Sequence, residues 1–453
     1  MEGIRGGAAV SAHLGRIRIA SPLSFLLSHF CPPLAALLAS IIVVFITTLL
    51  PAPAFAQSAP TVSDAGVTDS FPDGMTFAVT ASSDSPINDL KIRYKILPDG
   101  TSANASPKFQ SGKSVSATFD LGGASLYLPP GTVVEYHWEA TDADGDQART
   151  ETASFFYDDV RFQWTPLESN GITIYYYSGS PDDAQAMLQT ATEAIGSMSQ
   201  LLGANITYPI KVWIYKNNND MRPALQRQSA TFEASVITEG VRVASDTVLI
   251  LGNGSFSTLR HELTHVVTHA AGESALGHLP AWLDEGTAVY GQNDPGGFEA
   301  AVDQAVSRGN VFSVRQITSS PGDPSAVNLF YGESWSLVKY LNDTYGPEKF
   351  AKLFAEIKRG STIDDALKAA YGFDQDGLDN EWRAAHGLAP RATPEPKQDQ
   401  QPQSTAGASG SQTNAQKNDS GGTSALVLIA LAAGLIVLAG AVALAGWAVA
   451  RRL

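Results

Sequence analysis

The sequence predicts an α+β protein in which an all-β region is followed by a region of mixed strands and helices. Three observations predict this organisation. Short alternating segments separated by turn signals occupy residues 58 to about 158. From about residue 160 strand patterns mix with helical spacing, and helices alone continue to residue 388. Long apolar runs lie at 34–50 and 425–450, near the two ends of the chain.

The N-terminal segment is typical of an export signal. Arg5, Arg16 and Arg18 precede the apolar run, and Ala54-Phe55-Ala56 forms a small-x-small cleavage site. We predict a signal peptide over residues 1–56, with an uncleaved anchor as the alternative. Either interpretation places the following residues outside the cytoplasm. The single cysteine lies within this segment, so the exported part has no disulfide to stabilise it.

The C-terminal segment is typical of a membrane anchor. Residues 424–450 are predicted to form a transmembrane helix, because the uncharged run exceeds the roughly 20 residues needed to cross a bilayer. Arg451 and Arg452 follow it, so residues 451–453 are predicted to be a cytoplasmic tail. Residues 389–423 are rich in Pro, Gln, Ser, Gly and Asn and are predicted to be a disordered tether. The expected localisation is therefore the cell membrane, with a single span and the large folded part extracellular.

The charge of the chain excludes one class of partner. The formal net charge is −15, whereas binding to nucleic acid requires clustered Lys and Arg to neutralise phosphates. We expect no nucleic-acid partner. The sequence leaves the oligomeric state open.

Residues 57–158 are predicted to form a β-sandwich similar to immunoglobulin or fibronectin type III modules. The predicted strands are Met75 to Thr80, Leu90 to Ile96, Ser114 to Phe119, Val133 to Ala140 and Thr150 to Phe156. Asp142, Asp144 and Asp146 suggest either a calcium loop or a hairpin turn. The turn is favoured, because the bidentate Glu of a calcium loop is missing.

Residues 159–388 are predicted to form a second, α+β domain. Strands are expected at Ile172 to Tyr177, Ile210 to Tyr215 and Thr247 to Leu251, with a helix from Asp182 to Leu202. Four of the eight histidines of the chain lie between residues 261 and 278 of this domain. That clustering indicates a metal site.

His261 and His265 are four residues apart, so on a helix both imidazoles project from one face, one turn apart. The apolar residues of this helix fall on the opposite side, so one face packs on the core and the other faces a cleft. Ser257 or Thr258 is a candidate N-cap. Glu285 follows His265 by 20 residues, after a loop and at the start of another helix. Two His and one Glu leave a fourth metal position open, as catalytic zinc sites do.

The pattern His-Glu-x-x-His at 261–265, followed by Trp-Leu-Asp-Glu-Gly at 282–286, resembles the gluzincin branch of zinc metallopeptidases, and within it the peptidase MA-like group of bacterial surface proteins. The segment 331–346 and the stretch around Trp382 also fit that group. The resemblance covers about residues 160–388 and implies a thermolysin-like zincin fold that hydrolyses a peptide or protein substrate with Zn²⁺. It implies that His261, His265 and Glu285 bind the zinc and that Glu262 is the general base.

Other residues have candidate roles. Asp284 is a candidate partner for a histidine N–H, or a solvated helix residue. Tyr331 is the first candidate to stabilise the oxyanion and Tyr290 the second, although both have the alternative of core packing. The strand Thr247 to Leu251 is a candidate edge strand for substrate binding. His269 is not expected to bind the metal, because it lacks the spacing of a third histidine ligand; on a continued helix it would lie one turn above the metal, near the substrate. His278 lies in the loop and is expected to be a surface residue.

Two alternatives to a peptidase remain open: an inactive relative of the family, and a surface adhesin in which the β-sandwich does the binding. Intramembrane proteolysis is excluded, because the metal helix is amphipathic and distant from the apolar span. The substrate and the endo- or exopeptidase mode cannot be inferred from the sequence. The lack of a Gly-x-Met-x-Asn segment before His261 disfavours an aminopeptidase.

Overall fold

The computed structural model describes residues 59–98, 100, 102–226, 239–252 and 255–391. The predicted signal peptide at 1–56, the transmembrane helix at 424–450 and the tail at 451–453 lie outside these residues, as does the tether after residue 391. None of the helices in the described part of the chain has the length and apolar character needed to cross a bilayer.

The N-terminal part is a seven-stranded antiparallel sheet. Its strands are β1 (Thr61–Asp69), β2 (Met75–Leu97), β3 (Ser102–Ala105), β4 (Gly112–Leu121), β5 (Val133–Asp142), β6 (Gln147–Arg149) and β7 (Ala153–Phe156). The two strands predicted at 75–80 and 90–96 are parts of one 23-residue strand, β2. Its first half pairs with β1 and β4, and its second half with β3 and β5.

The two halves of β2 carry side chains that meet in one core. Phe77 of the first half contacts Tyr136 of β5 with ring centroids 4.7 Å apart, and Phe119 of β4 lies 5.5 Å from Tyr94 of the second half. The sheet therefore folds over itself around buried aromatic side chains. This is the N-terminal β region that the sequence predicts; its assignment to an immunoglobulin- or fibronectin-like module stays a prediction.

A second, five-stranded sheet follows, in the order β11-β12-β10-β9-β8. Its strands are β8 (Thr165–Ser169), β9 (Ile172–Tyr176), β10 (Ile210–Tyr215), β11 (Gly240–Ala244) and β12 (Thr247–Leu251). The predicted strands at 210–215 and 247–251 have these same bounds. The expectation that 247–251 is an edge strand is wrong, because β11 pairs antiparallel with its outer side. Among the described residues the edge strand on this side of the sheet is β11, which the sequence did not predict.

The remaining elements are mostly helices, as predicted. They are α1 (Pro181–Leu202), α2 (Asn218–Met221), α3 (Phe256–Gly272), α4 (Ala281–Gly291), α5 (Gly297–Arg308), α6 (Val327–Tyr345), α7 (Pro347–Lys358), α8 (Ile363–Tyr371) and α9 (Gln375–Ala385), with short 3₁₀ turns at Gly123–Ser125, Arg222–Ala224 and Pro324–Ala326. Helix α1 begins with a capping box between Ser180 and Asp183 and ends at Gly203, which has a left-handed conformation.

The second sheet is buried on both faces, which explains why all six residues of β10 are buried. Val212 and Ile214 face a core shared with α1 and α3. Trp213 and Tyr215 point to the opposite face, into the core of the N-terminal sheet. The first sheet therefore packs directly on the second sheet through a common apolar core.

The last described residue, Arg391, is bound to residues of the helical layer. Its guanidinium binds the carboxylate of Asp379 at 2.7 Å and the carbonyl oxygens of Val311 and Phe312 at 2.9 and 2.6 Å. A fragment that ends at the predicted boundary, residue 388, would lose these contacts. A soluble fragment should therefore extend through Arg391.

Glu333 of α6 is 2% exposed, and both its carboxylate oxygens accept the backbone N–H of Phe312 at 3.0 Å. Burial raises the pKa of Glu333 to about 8, against the opposing effects of that N–H and of Arg391. The unfolded chain therefore releases this proton near pH 4.5 and the folded chain near pH 8. The protonated Glu333 contributes fully to the free energy of unfolding below about pH 4.5. This contribution, roughly a few kcal/mol, is lost as the pH rises to about 8.

We expect Glu333→Gln to remove this pH dependence, because the amide keeps the acceptor oxygen but does not ionise. In urea unfolding, the variant should have about the same free energy of unfolding as wild type near pH 5. At pH 8.5 the variant should be more stable than wild type. The exposed Glu299 of α5 offers a control, since Glu299→Gln should leave the difference between the two pH values unchanged. If the free energy of unfolding changed by the same amount between the two pH values in wild type and in Glu333→Gln, the prediction would be contradicted.

Candidate metal centre

Helix α3 carries the two histidines of the His-Glu-x-x-His pattern. It begins two or three residues earlier than predicted: Ser255, and not Ser257 or Thr258, is the N-cap, because its hydroxyl accepts the Thr258 N–H at 3.0 Å. The apolar side of α3 packs against the second sheet through Leu259, Leu263 and Val266. The histidine side is left facing the helical layer, as the helical spacing predicts.

Helix α4 brings Glu285 opposite the histidines. Trp282 and Leu283 anchor the start of this helix in the helical core. Gly286 then lets α4 approach α6 closely, because a Cβ at this position would lie 2.2 Å from the carbonyl oxygen of Ser334. The packing of α4 on α6 thus determines where the carboxylate of the preceding residue, Glu285, lies.

Three ligand atoms converge at this point. The Nε2 atoms of His261 and His265 are 3.2 Å apart, and Oε2 of Glu285 lies 3.4 Å from the first and 3.5 Å from the second. These three residues form a group able to hold a metal ion within the part of the chain that the structure describes. The sequence predicts the same three residues.

The triangle fits a tetrahedral zinc ion on two grounds. With bonds of about 2.0–2.1 Å, tetrahedral geometry separates ligand atoms by roughly 3.3–3.4 Å, close to the observed edges. In addition, Oε2 of Glu285 is buried and has no hydrogen-bond partner, although a buried carboxylate oxygen normally has one. A cation at the centre of the triangle would satisfy this oxygen.

Each histidine has an outer partner that orients its ring. Nδ1 of His265 lies 3.0 Å from Asp284, which also accepts the hydroxyl of Thr268. This contact supports the role suggested for Asp284. Nδ1 of His261 lies 2.9 Å from the side-chain nitrogen Nε2 of Gln292. When Nε2 of His261 binds a metal, its Nδ1 carries the proton, and the Gln292 amide must then turn over so that its oxygen accepts that proton. The sequence did not indicate Gln292.

The electrostatics of the site favour a cation. Burial alone would lower the pKa of His265, but Asp284 and Glu285 outweigh it and raise that pKa well above its ordinary value. Burial opposes ionisation of Glu285, yet the two histidines lower its pKa to about 2. The carboxylates are therefore ionised at neutral pH, and a proton on His265 balances part of their charge. A metal ion that binds here replaces that proton.

Glu262 lies beside the edge strand of the second sheet. Its Oε2 accepts the backbone N–H of Arg242, in β11, at 2.9 Å. Strand β11 runs this close because residue 240 is glycine: a Cβ there would lie 3.1 Å from Cγ of Glu262 and 2.8 Å from Cγ2 of Thr258. The carboxylate is thus held in place by the backbone of a strand about 20 residues earlier in the chain, a contact with no local sequence signal.

The structure distinguishes the other candidate residues by their position relative to the metal ligands. Tyr331 is 7% exposed, and its ring centroid lies 6.1 Å from that of His261. Burial, together with the charges of Glu285 and Glu262, raises the pKa of Tyr331 well above its ordinary value. Tyr290 is instead partly buried against the helical core. His269 pairs with Glu273 at 2.7 Å, and His278 is exposed.

The aspartates of the β5–β6 hairpin form a turn, as favoured above. One carboxylate oxygen of Asp142 accepts the backbone N–H groups of Asp144 and Asp146 at 3.1 and 3.0 Å, and the other accepts the hydroxyl of Ser83 at 2.7 Å. These bonds use the carboxylate to hold the hairpin together. They explain the spacing of the aspartates without a calcium ion.

One protein-family comparison matches the region of the chain that contains this site. Residues 190–386 match the Peptidase MA superfamily. This Peptidase MA region contains both histidines, Glu262, Glu285 and Tyr331. The match supports a peptidase-like function for the region, in a superfamily that is generally zinc-dependent. No curated protein matches the chain.

Several solved structures show partial likeness. An aminopeptidase N family protein from Idiomarina loihiensis is 11% identical, with 71% of this chain and 75% of that chain covered and a TM-score of 0.37. Wild-type OgpA from Akkermansia muciniphila is 16% identical over 23% of this chain and 30% of its own, with a TM-score of 0.17. A β-1,3-glucan binding domain of carbohydrate-binding module family 56 is 17% identical over 21% of this chain and 98% of its own, with a TM-score of 0.15. These overlaps are too weak to support conclusions about function.

Proposed function

We propose that this protein is a membrane-anchored, extracytoplasmic zinc peptidase of the gluzincin type that hydrolyses peptide bonds. The observation that carries the proposal is the triangle of two imidazole nitrogens and one buried carboxylate oxygen that has no hydrogen bond, with edges of 3.2–3.5 Å. Three protein ligands leave room for water or substrate, which distinguishes a catalytic zinc site from a closed structural one. The Peptidase MA match supports the same reaction class.

Zinc, when bound by His261, His265 and Glu285, would supply a Lewis acid that polarises the scissile carbonyl and lowers the pKa of water. Glu262 is next to the first ligand in sequence but is not part of the triangle. Its carboxylate is the proposed general base: it takes a proton from the attacking water and delivers it to the departing amine. The N–H of Arg242 holds one oxygen of this carboxylate, which leaves the other oxygen to accept the proton.

Tyr331 is the proposed donor to the carbonyl oxygen that becomes negative during the attack. It lies beside His261 and within the electrostatic influence of Glu285 and Glu262. A tyrosine hydroxyl is protonated at neutral pH and can donate a hydrogen bond, and the raised pKa of Tyr331 extends this to more alkaline pH. Tyr290, the second candidate, has no comparable relation to the metal ligands.

The membrane topology is proposed from the sequence. The apolar runs at 34–50 and 425–450 support an export signal and a single C-terminal anchor, with the Peptidase MA region on the outer side. A tether between residue 391 and the anchor would hold the peptidase away from the bilayer and allow it to reach peptide or protein substrates near the membrane surface.

The proposal predicts that residues 57–391, produced without signal and anchor, bind about one zinc per chain and cleave members of a peptide library. A chelator should abolish cleavage, and added zinc should restore it, because the three ligands form one site. Metal content well below one equivalent after zinc loading would contradict the proposal. Bound zinc without cleavage of any peptide would favour the alternatives, an inactive relative or an adhesin that binds through its β region.

A further inference from the structure

Strand β11 forms an edge of the second sheet next to the proposed catalytic carboxylate. It pairs with β12 on one side and has no strand on its other side among the described residues. The backbone N–H of Arg242 points away from β12 and donates to Glu262 at 2.9 Å. Arg242 therefore lies at the point where the unpaired edge of the sheet meets the metal helix α3.

The side chain of Arg242 is on the same side of the sheet as the metal helix. Residues directly opposite each other in an antiparallel pair share a face. Arg242 is opposite Val248, and Val248 packs in the core formed with α1 and α3. Leu249, the next residue of β12, points into the opposite core. Arg242 therefore extends towards the metal site and away from the N-terminal sheet.

The guanidinium of Arg242 is close to the site but has no anionic partner within the described residues. Its charge contributes to the lowering of the pKa of Asp284, the outer partner of His265. The side chain is partly buried, yet its guanidinium makes no hydrogen bond or ion pair with any residue that the structure describes. By contrast, Arg260 of the metal helix is neutralised by Glu193 at 2.8 Å.

An unpaired guanidinium at this place suits one kind of ligand. Its planar set of N–H donors matches the two oxygens of a carboxylate, and partial burial strengthens such a pair relative to one in open water. A peptide that extends along β11 towards Glu262 would bring its own groups next to Arg242. The same cation would repel the ammonium group of a free peptide N-terminus, consistent with the missing amine-recognition segment noted above.

We propose that Arg242 is a specificity-determining residue that binds a substrate carboxylate next to the scissile bond. The carboxylate belongs either to an acidic side chain beside that bond or to the C-terminus of the peptide. This inference rests on the proposed peptidase function and names its substrate class: anionic peptides.

The test uses the zinc-loaded full-length chain and matched peptides that differ by one group. One pair has Glu or Gln beside the cleaved bond with both ends blocked; the other has a free or an amidated C-terminus. We expect the carboxylate member of at least one pair to be preferred by roughly 10- to 100-fold in kcat/KM, the range of a hydrogen-bonded charge pair. The pair that shows the preference identifies the source of the carboxylate.

Arg242→Ala should bring the ratio of kcat/KM between each carboxylate peptide and its neutral counterpart to near one, and Arg242→Glu should shift the preference towards a Lys-containing peptide. Arg260→Ala is the matched control. It removes a positive charge that is already paired with Glu193, so the preference for the carboxylate peptide should persist. Equal cleavage of acidic and neutral peptides by wild type, or an unchanged preference in Arg242→Ala, would overturn the role of Arg242 while leaving the peptidase intact.

If the zinc-loaded chain cleaves no peptide, the proposed function fails, and the role of Arg242 is decided by binding of the same peptides in calorimetry. Affinity for the carboxylate peptide that falls at least about 10-fold in Arg242→Ala would still support a carboxylate site. The same affinity in both chains would overturn it.

Discussion

Glu262→Gln is expected to lower kcat by roughly 10²–10⁴-fold while the zinc content stays near one equivalent per chain. The amide oxygen of Gln can accept the N–H of Arg242, as Oε2 of Glu262 does at 2.9 Å, so the side chain should keep its position. What is lost is the ability to take a proton from water. Because Glu262 is not in the ligand triangle, metal binding should not depend on its charge.

Metal analysis and single-turnover cleavage, measured on the same preparations, check this prediction. Glu273→Gln is the matched control, because it makes the same chemical change at the end of the same helix. The Glu273 carboxylate binds His269 and not the metal ligands, so activity should remain near that of wild type. Turnover of the Glu262 variant at the wild-type rate would remove Glu262 from its assigned role, and loss of zinc would make it a ligand.

Glu285→Gln is expected to weaken zinc binding by more than the roughly 10- to 100-fold that loss of an outer partner costs. The substitution replaces the ionised carboxylate, whose Oε2 has no hydrogen bond, by a neutral amide and leaves two imidazoles to hold the ion. Burial makes the loss of charge important, because a low-dielectric surrounding strengthens the attraction between carboxylate and cation.

Substitutions at two other carboxylates test whether the loss of zinc binding is specific to Glu285. Asp284→Asn removes the partner of His265 and should cost about 10- to 100-fold in zinc affinity, and Glu273→Gln should cost nothing measurable. Competition with a chelator gives the affinities, and circular dichroism of the metal-free chains shows whether each variant is folded. If Asp284→Asn weakened binding more than Glu285→Gln did, the ligand role would pass to Asp284.

Much of the fold followed from short-range patterns. Strands β10 and β12 have the predicted bounds, and α1 begins within one residue of its predicted start, because buried strands and amphipathic helices leave clear periodicities. The break predicted inside β2 does not exist. The polar residues between Ser82 and Ile87 resemble a turn, but the strand continues through them because its two halves find different partners. Pairing partners, and not local propensity, decide such a case.

The edge of the second sheet likewise could not be predicted from local patterns. The pattern at 247–251 predicts a strand, but nothing in it reveals whether another strand lies outside it. Strand β11 takes that position and brings Arg242 and Gly240 next to Glu262. Strand order is a long-range property, so the sequence indicated an edge strand near the site but not which one.

By itself, the sequence predicted the proposed ligand set. The spacing of His261 and His265 places both rings on one side of a helix, and this relation depends only on helical geometry. Tertiary structure decided what surrounds them: Gln292 beside His261, the backbone of β11 beside Glu262, and the close contact at Gly286 that positions Glu285. The physical reason is that periodicity records which residues share a face of one element, whereas contacts between elements depend on how those faces pack.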